Sequence, residues 1–328
     1  EFTVLGGMMV DRDDIFHLLR LTETWTSFSY SVRIIVRHFL DKMIHPRSTR
    51  LVMGNAMIAR MLYSYIFRKG LLVTQTEVTQ LLQNGNAIEG VVLQQTLHNG
   101  EKIQRTLRIK GGVVMASGGF NRHPTRRSVM LPGVNESWCP AGPGNTGSAQ
   151  DLALQAGGQL GTGGLTHAFW APVSIRQRAD GTTAAFPHFV MDRGKPGMIT
   201  VDSQGERYVN ESTSYHLFGI AMQEHNQKTP SIPTWLICDA GALKRYGLGM
   251  IRPGGKGLAP FLADGYLKQG ATLLELAQQL KVPGETLKAT VKRFNQFADK
   301  GVDEDFQRGT TDYQRANGDA TWTGLNPC

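Results

Sequence analysis

The sequence predicts a mixed α/β fold with α+β elements, on the basis of two sets of segments. Four segments place apolar residues with the periodicity of a helix: 30–43, 55–67, 272–280 and 285–299. Three runs are rich in the β-branched residues typical of strands: 71–78, 90–96 and 102–110. Asn-Gly pairs at 84–85 and 99–100 separate these runs, because both residues tolerate the positive φ of hairpin turns. We therefore expect a β-meander between helical regions.

Local signals define where the first helices begin and end. Asp13 and Asp14 precede an apolar-periodic run, which predicts a short capped helix. His45-Pro46 ends the helix over 30–43, because proline cannot continue it. Gly70 ends the next helix, over 55–67.

The middle of the chain holds a predicted ligand-binding turn. Residues 112–116, Gly-Val-Val-Met-Ala, predict a short buried strand, and Ser117-Gly118-Gly119-Phe120 a sharp turn at its carboxyl end. Ligands of α/β sheets bind at that end, and consecutive glycines let a backbone approach them closely. A helix over 150–156 and a hairpin around 202–205 are expected further along.

The length of the chain and a change in its composition near residue 170 predict two domains. The 328 residues exceed what one hydrophobic core usually spans, roughly 250–300 residues. Beyond about residue 170 the chain becomes loop-rich, with prolines at 172, 187 and 196. We place the boundary near Trp170, which gives domains 1–170 and 171–328.

Composition excludes several classes of protein. With 41% hydrophobic and 19% charged residues, the chain is neither disordered nor fibrous. No stretch approaches the roughly 18–20 apolar residues of a membrane span, and the first residues lack the features of a secretory signal. Cys139, Cys238 and Cys328 lie too far apart to suggest a disulfide framework or a metal site. We expect a cytoplasmic protein without a metal.

The net charge of +8 is confined to the first part of the chain. Residues 1–130 hold 17 basic and 9 acidic side chains, whereas the remainder is neutral. Nucleic-acid binding would require a basic stripe with interleaved aromatic residues or a known motif, and neither is present. We therefore expect a small-molecule substrate and no nucleic-acid partner.

Residues 142–147, Gly-Pro-Gly-Asn-Thr-Gly, match the dinucleotide-binding pattern G-x-G-x-x-G literally. That fingerprint requires a hydrophobic strand directly before it, and Glu136-Ser137-Trp138-Cys139-Pro140 is not one. No acidic residue ends a second strand about 20 residues later either. We interpret the segment as a loop before a helix, where free amides can still contact an anion.

Two motifs in order give the chain a family likeness. Ala116 to Phe120 matches A-x-G-G-F, and Gly205 to Glu211 corresponds to G-x-R-F-x-N-E. Over nearly its whole length the chain resembles the fumarate reductase and 3-ketosteroid dehydrogenase superfamily of flavoproteins. The resemblance implies FAD as cofactor and a partial Rossmann-like FAD-binding domain with the β-meander, followed by an α+β catalytic and substrate domain.

The resemblance also implies site residues. Nine positions correspond to cofactor-binding segments: Val78, Ala116, Ser117, Gly118, Gly119, Phe120, Thr146, Gly147 and Ser148. Four lie where the substrate cavity of the family begins: His167, Trp170, Tyr215 and His216. Tyr215 stands four residues after Glu211, where the steroid branch has a tyrosine and similar fumarate reductases have a proton-donating arginine.

Tyr215 therefore implies an FAD-dependent dehydrogenase acting on CH–CH donors. Its substrate would be 3-ketosteroid-like, with a hydride passing to flavin N5 from the carbon–carbon bond next to the ketone and a proton passing to the tyrosine. A fumarate reductase or succinate dehydrogenase-type flavoprotein is the enzymatic alternative. The second alternative is a non-catalytic, flavin-free remnant that binds a substrate.

The chain departs from the family pattern in three places. The T-G-D-G loop is here Thr146-Gly147-Ser148-Ala149, and Asp151 lies three residues too late to replace the lost carboxylate simply. A G-x-G-x-x-G strand and helix would precede Gly6 in a complete member. A glycine-rich flavin-covering segment would follow Cys328. We therefore expect an interior fragment of a longer flavoprotein.

Overall fold

The computed structural model describes residues 3–161, 163–189 and 192–328, without the side chain of Arg12. The chain contains both helices and antiparallel strands, which confirms the predicted mixed class. Contacts divide the chain into two compact units. The first contains residues up to 84 with 89–110, and the second contains 85–88 with 111–328. The predicted boundary near Trp170 lies inside the second unit, and the functional division at that residue stays a prediction.

The first unit begins with a short strand pair and three helices. They are β1 (Thr3–Val4), β2 (Met8–Met9), α1 (Arg12–Leu19), α2 (Trp25–Ile44) and α3 (Met53–Phe67). The capping residue of α1 is Asp11 rather than Asp13 or Asp14, because Asp11 and Asp14 each accept the other's backbone N–H in a capping box. A small core of Met8, Val10 and Ile34 joins the strands to α2.

The predicted β-meander is present and, apart from residues 85–88, belongs to the first unit. Strands β3 (Thr76–Asn84), β4 (Ala87–Thr96) and β5 (Lys102–Arg108) form one sheet in that order. The register between β4 and β5 runs from Gly90 opposite Arg108 to Thr96 opposite Lys102. The first strand starts later than the predicted 71, since Gln75 has a φ of 55° that bends the chain just before Thr76.

The second unit holds the remaining elements. Its helices are α4 (Arg126–Met130), α5 (Ser148–Gln155), α6 (Tyr215–Asn226), α7 (Ala240–Tyr246), α8 (Ala259–Ala263), α9 (Leu273–Leu280), α10 (Gly284–Lys300) and α11 (Asp312–Asn317). Its strands form two antiparallel pairs, β6 (Val173–Gln177) with β7 (Thr183–Pro187) and β8 (Met198–Val201) with β9 (Trp235–Cys238). The main core packs this second pair against α9 and α10. Its buried residues are Ile199, Val201, Ile237, Ala277, Leu280, Val282 and Leu287.

Two local predictions in the second unit are wrong. Residues 112–116 are irregular and exposed instead of forming a buried strand, with Val114 92% exposed. No strand of the described residues pairs with them, so their apolar character alone does not produce a strand. At 202–205 the turn forms, but the chain after it does not return as a strand. The partner of β8 is β9, with Met198 opposite Cys238.

The described part of the chain contains no helix that combines the length and apolarity needed to cross a membrane. In the same residues, no group of three or more His, Cys, Asp or Glu side chains could hold a metal ion.

Candidate functional site

Two glycine-containing loops of the second unit lie side by side. The amide of Gly147 donates to the carbonyl of Gly119 at 3.1 Å. The amide of Gly119 in turn donates to Asn145 Oδ1 at 3.3 Å. The structure thus brings together the two segments that the sequence singled out for the cofactor, Ala116–Phe120 and Thr146–Ser148. The ninth predicted cofactor residue, Val78, lies in β3 of the first unit.

Both loops require glycine at one position. Gly118 has a φ of 91°, and a Cβ there would lie 2.3 Å from Asn145 Oδ1. Gly147 has a φ of 77°, and a Cβ there would lie 2.9 Å from Arg126 Nη1 and 3.2 Å from Phe120 Cβ. Side chains rarely adopt these backbone conformations, so any other residue would separate the loops. Residues 112–118, which lead into the first of these loops, are exposed.

Asp151 does not replace the carboxylate missing from the loop. It lies in α5 and accepts hydrogen bonds from Arg126 Nη2 and, at 3.2 Å, from His123 Nε2. The hydrogen bond from Arg126 and its charge lower the pKa of Asp151 below its ordinary value. Arg126 Nη1 also donates to Gln150 Oε1 at 2.9 Å. The carboxylate of Asp151 is therefore engaged within the protein.

Arg122 connects the same loops to the segment before them. Its amide donates to the carbonyl of Asn145 at 2.8 Å. Its Nη2 donates to the carbonyl oxygens of Cys139 at 2.8 Å and Ala141 at 3.2 Å. These bonds fix residues 139–145 without a regular element, because a guanidinium can satisfy several carbonyl groups at once.

A buried ion network organises the second motif. Glu211 is fully buried and accepts the amide of Thr200 at 3.0 Å, Arg207 Nη2 at 2.7 Å and Arg308 Nη1 at 3.2 Å. Burial alone would raise the pKa of Glu211, but the two arginines outweigh it and hold that pKa below its ordinary value. Asp303 also accepts from Arg207, from Nη2 at 2.9 Å and from Nη1 at 3.2 Å. This part of the chain is therefore rigidly anchored.

Tyr215 follows this anchored segment as the first residue of α6. Ser214 caps the helix, its Oγ accepting the amide of Leu217 at 3.3 Å. Tyr215 is 36% exposed. Its ring packs edge-on against Phe189, with centroids 5.1 Å apart. The phenol is held at its ring while remaining partly open to solvent.

The structure brings Trp170 next to His216. The amide of Trp170 donates to His216 Nδ1 at 3.1 Å, which leaves the proton of a neutral imidazole on Nε2. Gly219 of α6 allows this approach, because a Cβ there would lie 2.6 Å from the Trp170 Cβ. His167 is exposed and, within the described residues, makes no hydrogen bond to Tyr215 or His216. Three of the four predicted substrate residues thus lie around the start of α6.

Sequence reasoning missed Arg193, which is 1% exposed. It holds the chain before Tyr215, because its Nη1 donates to the carbonyl of Glu211 and its Nη2 to that of Thr213 at 2.6 Å. It also missed Phe189. Neither residue belongs to a motif, and their partners lie 18 or more residues away, so no local signal could have identified them.

A family model described as "FAD binding domain" matches residues 5–326. The chain belongs to that family. FAD is the cofactor of the family, as the sequence predicts, and the exposed residues 112–118, which lead into the first glycine loop, fit contact with such a group.

Curated relatives support the same assignment. The chain is 32% identical to 4-oxocyclohex-2-ene-1-carboxylate 5-dehydrogenase of Sinomonas cyclohexanicum, over 97% of this chain and 53% of that protein. It is 32% identical to 3-oxosteroid 1-dehydrogenase of Mycobacterium tuberculosis, over 81% and 47%. The chain thus spans about half the length of these relatives.

Among solved structures, the 3-ketosteroid Δ1-dehydrogenase of Sterolibacterium denitrificans, in complex with 1,4-androstadiene-3,17-dione, is similar with a TM-score of 0.73. The sequence identity is 26%, and the match covers 99% of this chain and 57% of that one. This likeness confirms the family resemblance stated from the motifs.

Proposed function

We propose that the chain is the core of an FAD-dependent dehydrogenase that desaturates the carbon–carbon bond next to the ketone of a cyclic substrate. The observation that supports this most directly is the Tyr215 phenol. It is partly exposed at the first turn of α6, directly after a buried ion network. The named relatives act on 4-oxocyclohex-2-ene-1-carboxylate and on a 3-oxosteroid, so a ring ketone is what those substrates share.

Tyr215 is the proposed base. A carbon next to a ketone carries an acidified proton, and a phenolate can accept it if it lies within hydrogen-bond reach. Tyr215 is the first residue of α6, and its ring is held against Phe189. The substrate loses a proton and a hydride from adjacent carbons, and a carbon–carbon double bond forms. FAD, when bound, supplies the hydride acceptor.

The other residues position the two reactants. We assign FAD binding to the two adjacent glycine loops, Ala116–Phe120 and Thr146–Ser148, and the role of Val78 stays a prediction from the sequence. His216 directly follows Tyr215, and the amide of Trp170 donates to His216. We therefore assign Trp170 and His216 to the wall of the substrate cavity. His167 belongs to the exposed loop that leads to Trp170, and we place it at the mouth of that cavity.

We propose a bulky 3-ketosteroid as the substrate, in line with the tyrosine at position 215. A compact oxocyclohexene or oxocyclohexane carboxylate is the other cyclic ketone to test, because a relative of equal identity is named for one. Turnover of the two compounds, compared at equal concentration, decides between them. The electron acceptor is supplied as an artificial dye in this experiment.

The test begins with flavin binding. Protein that shows flavin absorbance, either as purified or after addition of FAD, supports the proposal. Protein that stays colourless after FAD is added contradicts it and favours the flavin-free binding module. Reduction of fumarate without oxidation of either ketone would favour the fumarate reductase alternative.

The second part of the test removes the proposed base. We expect Tyr215→Phe to lower kcat by about 10² to 10⁴-fold while FAD stays bound, because the proton acceptor is lost and the ring is kept. Tyr63→Phe is the matched control, since Tyr63 is 71% exposed and Phe preserves its stacking on Phe67. Full turnover by Tyr215→Phe would exclude this tyrosine as the base.

A further inference from the structure

Four polar side chains outside the predicted site form a continuous hydrogen-bonded chain in the second unit. His188 Nδ1 lies 2.6 Å from Asp192 Oδ2, and His188 Nε2 lies 2.8 Å from Ser174 Oγ. Ser174 Oγ lies 2.6 Å from the hydroxyl of Tyr266. The side chains of His188 and Asp192 are only 12% and 7% exposed, so the pair is shielded from water.

Backbone amides bind both ends of this hydrogen-bonded chain. The amide of Gly249 donates to Asp192 Oδ2 at 3.2 Å, and that of Met250 donates to the Tyr266 hydroxyl at 3.1 Å. Burial would raise the pKa of Asp192, but its hydrogen bond with His188 and the local amides keep that pKa below its ordinary value. Asp192 is therefore a carboxylate that accepts from His188 Nδ1, while Nε2 lies within hydrogen-bond distance of Ser174 Oγ.

The chain neighbours of this pair are the residues that hold Tyr215. Phe189 directly follows His188, and its ring packs against that of Tyr215. Arg193 directly follows Asp192 and donates to the carbonyl oxygens of Glu211 and Thr213, just before Tyr215. One buried pair is thus linked to both the ring and the backbone of the proposed base.

We propose that His188 and Asp192 are a positioning pair that fixes the Tyr215 ring through Phe189 and Arg193. The inference rests on the proposed function for its meaning in catalysis, but the positioning itself is a structural property. A fixed ring matters because a misplacement of about 1 Å in a reacting group can lower a rate about 10²-fold.

The first test observes the Tyr215 ring without using activity. The protein is labelled with 3-fluorotyrosine, and the resonance of Tyr215 among the eight tyrosines is assigned by its loss in Tyr215→Phe. We expect His188→Gln to broaden or split this resonance, because glutamine can satisfy Ser174 but does not reach Asp192. His188→Asn, whose amide can replace Nδ1, should preserve it. A resonance unchanged in His188→Gln overturns the positioning role.

The second test uses ketone turnover. We expect His188→Gln and Phe189→Leu each to lower kcat about tenfold with little change in KM, while His188→Asn retains most of it. Exposed His98 on a hairpin turn provides the control His98→Asn. If His188→Gln fails to fold, Phe189→Leu decides, because it leaves the polar chain intact.

The two proposals can fail separately. Absence of ketone turnover in the unaltered protein, combined with a Tyr215 resonance that responds to His188→Gln, overturns the proposed function alone. Turnover that is lost in Tyr215→Phe but unchanged in His188→Gln and Phe189→Leu overturns the positioning pair alone.

Discussion

Glu211 shows at a single residue what anchors the second motif. It is fully buried between Arg207 and Arg308. Glu211→Gln would leave Arg207 with Asp303 alone and, within the described residues, Arg308 with no carboxylate, and breaking a buried ion pair in this way costs about 3–5 kcal/mol. We expect the free energy of unfolding in urea to fall by about that amount.

The matched control is Glu304→Gln. Glu304 pairs with Lys300 on α10, and both side chains are more than half exposed, at 51% and 60%. We expect a change close to the error of the measurement, because exposed pairs are screened by water. Equal destabilisation by both variants would contradict the structural role given to Glu211.

Asp319 makes the free energy of unfolding depend on pH in the acidic range. Burial would raise its pKa, but hydrogen bonds from Tyr246 and Thr321, with the charge of Arg245, lower it to about 2. A carboxyl whose pKa is lower when folded stabilises the protein above its unfolded pKa, and that contribution is lost as the pH falls. We expect the stability difference between wild type and Asp319→Asn to be largest near about pH 6. It should shrink as the pH falls from about 5 towards 2.

Urea unfolding at several pH values measures this difference. Asp312→Asn is the control, because the Asp312 side chain is fully exposed beside Arg315. A constant difference between wild type and Asp319→Asn across this range would contradict the expected linkage.

At the residue scale, sequence motifs identified one part of the candidate site and missed another. Tyr215, Trp170 and His216 belong to segments that resemble family motifs, and the structure brings them to one region. Arg193 and Phe189 stabilise that region through contacts with distant residues. Such contacts depend on the tertiary fold, so a local pattern does not reveal them.

At the scale of elements, the loop before α5 offers a direct comparison of two glycines. A Cβ at Gly147 would lie within 3.2 Å of Phe120, in a backbone conformation with a φ of 77°. A Cβ at Gly144 would contact nothing within 4 Å. We expect Gly147→Ala to weaken FAD binding about tenfold or more and to destabilise the fold by about 1–3 kcal/mol.

Quenching of flavin fluorescence measures the affinity, and thermal unfolding measures the stability. Gly144→Ala, in the same loop, should leave both close to wild type. Equal effects of the two substitutions would show that the adjacency of the glycine loops does not matter for the cofactor.

Element predictions succeeded where the signal was local. The helices over 30–43, 55–67, 272–280 and 285–299 correspond to α2, α3, α9 and α10 within a few residues. The strand expected at 112–116 failed, because a strand needs a neighbour for its backbone groups and none of the described strands provides one. Apolar residues alone therefore predicted a helix better than a strand.

For the whole molecule, the motifs predicted the family and its cofactor, and the family match over residues 5–326 confirms both. The expected fold class is confirmed as well. The interior-fragment interpretation, the boundary near Trp170 and the cytoplasmic location stay predictions.

The three cysteines of the second unit should differ in their reactivity towards alkylating reagents. Burial, with Asp239 nearby, raises the pKa of the Cys238 thiol to about 12, and Cys328 is buried, so both should react slowly with alkylating reagents. Cys139 is half-buried, and Arg122 ties its carbonyl to the loop at Asn145. The emission of a fluorescent label attached at Cys139 would thus respond to changes in the glycine loops. No cysteine would have to be introduced for this purpose.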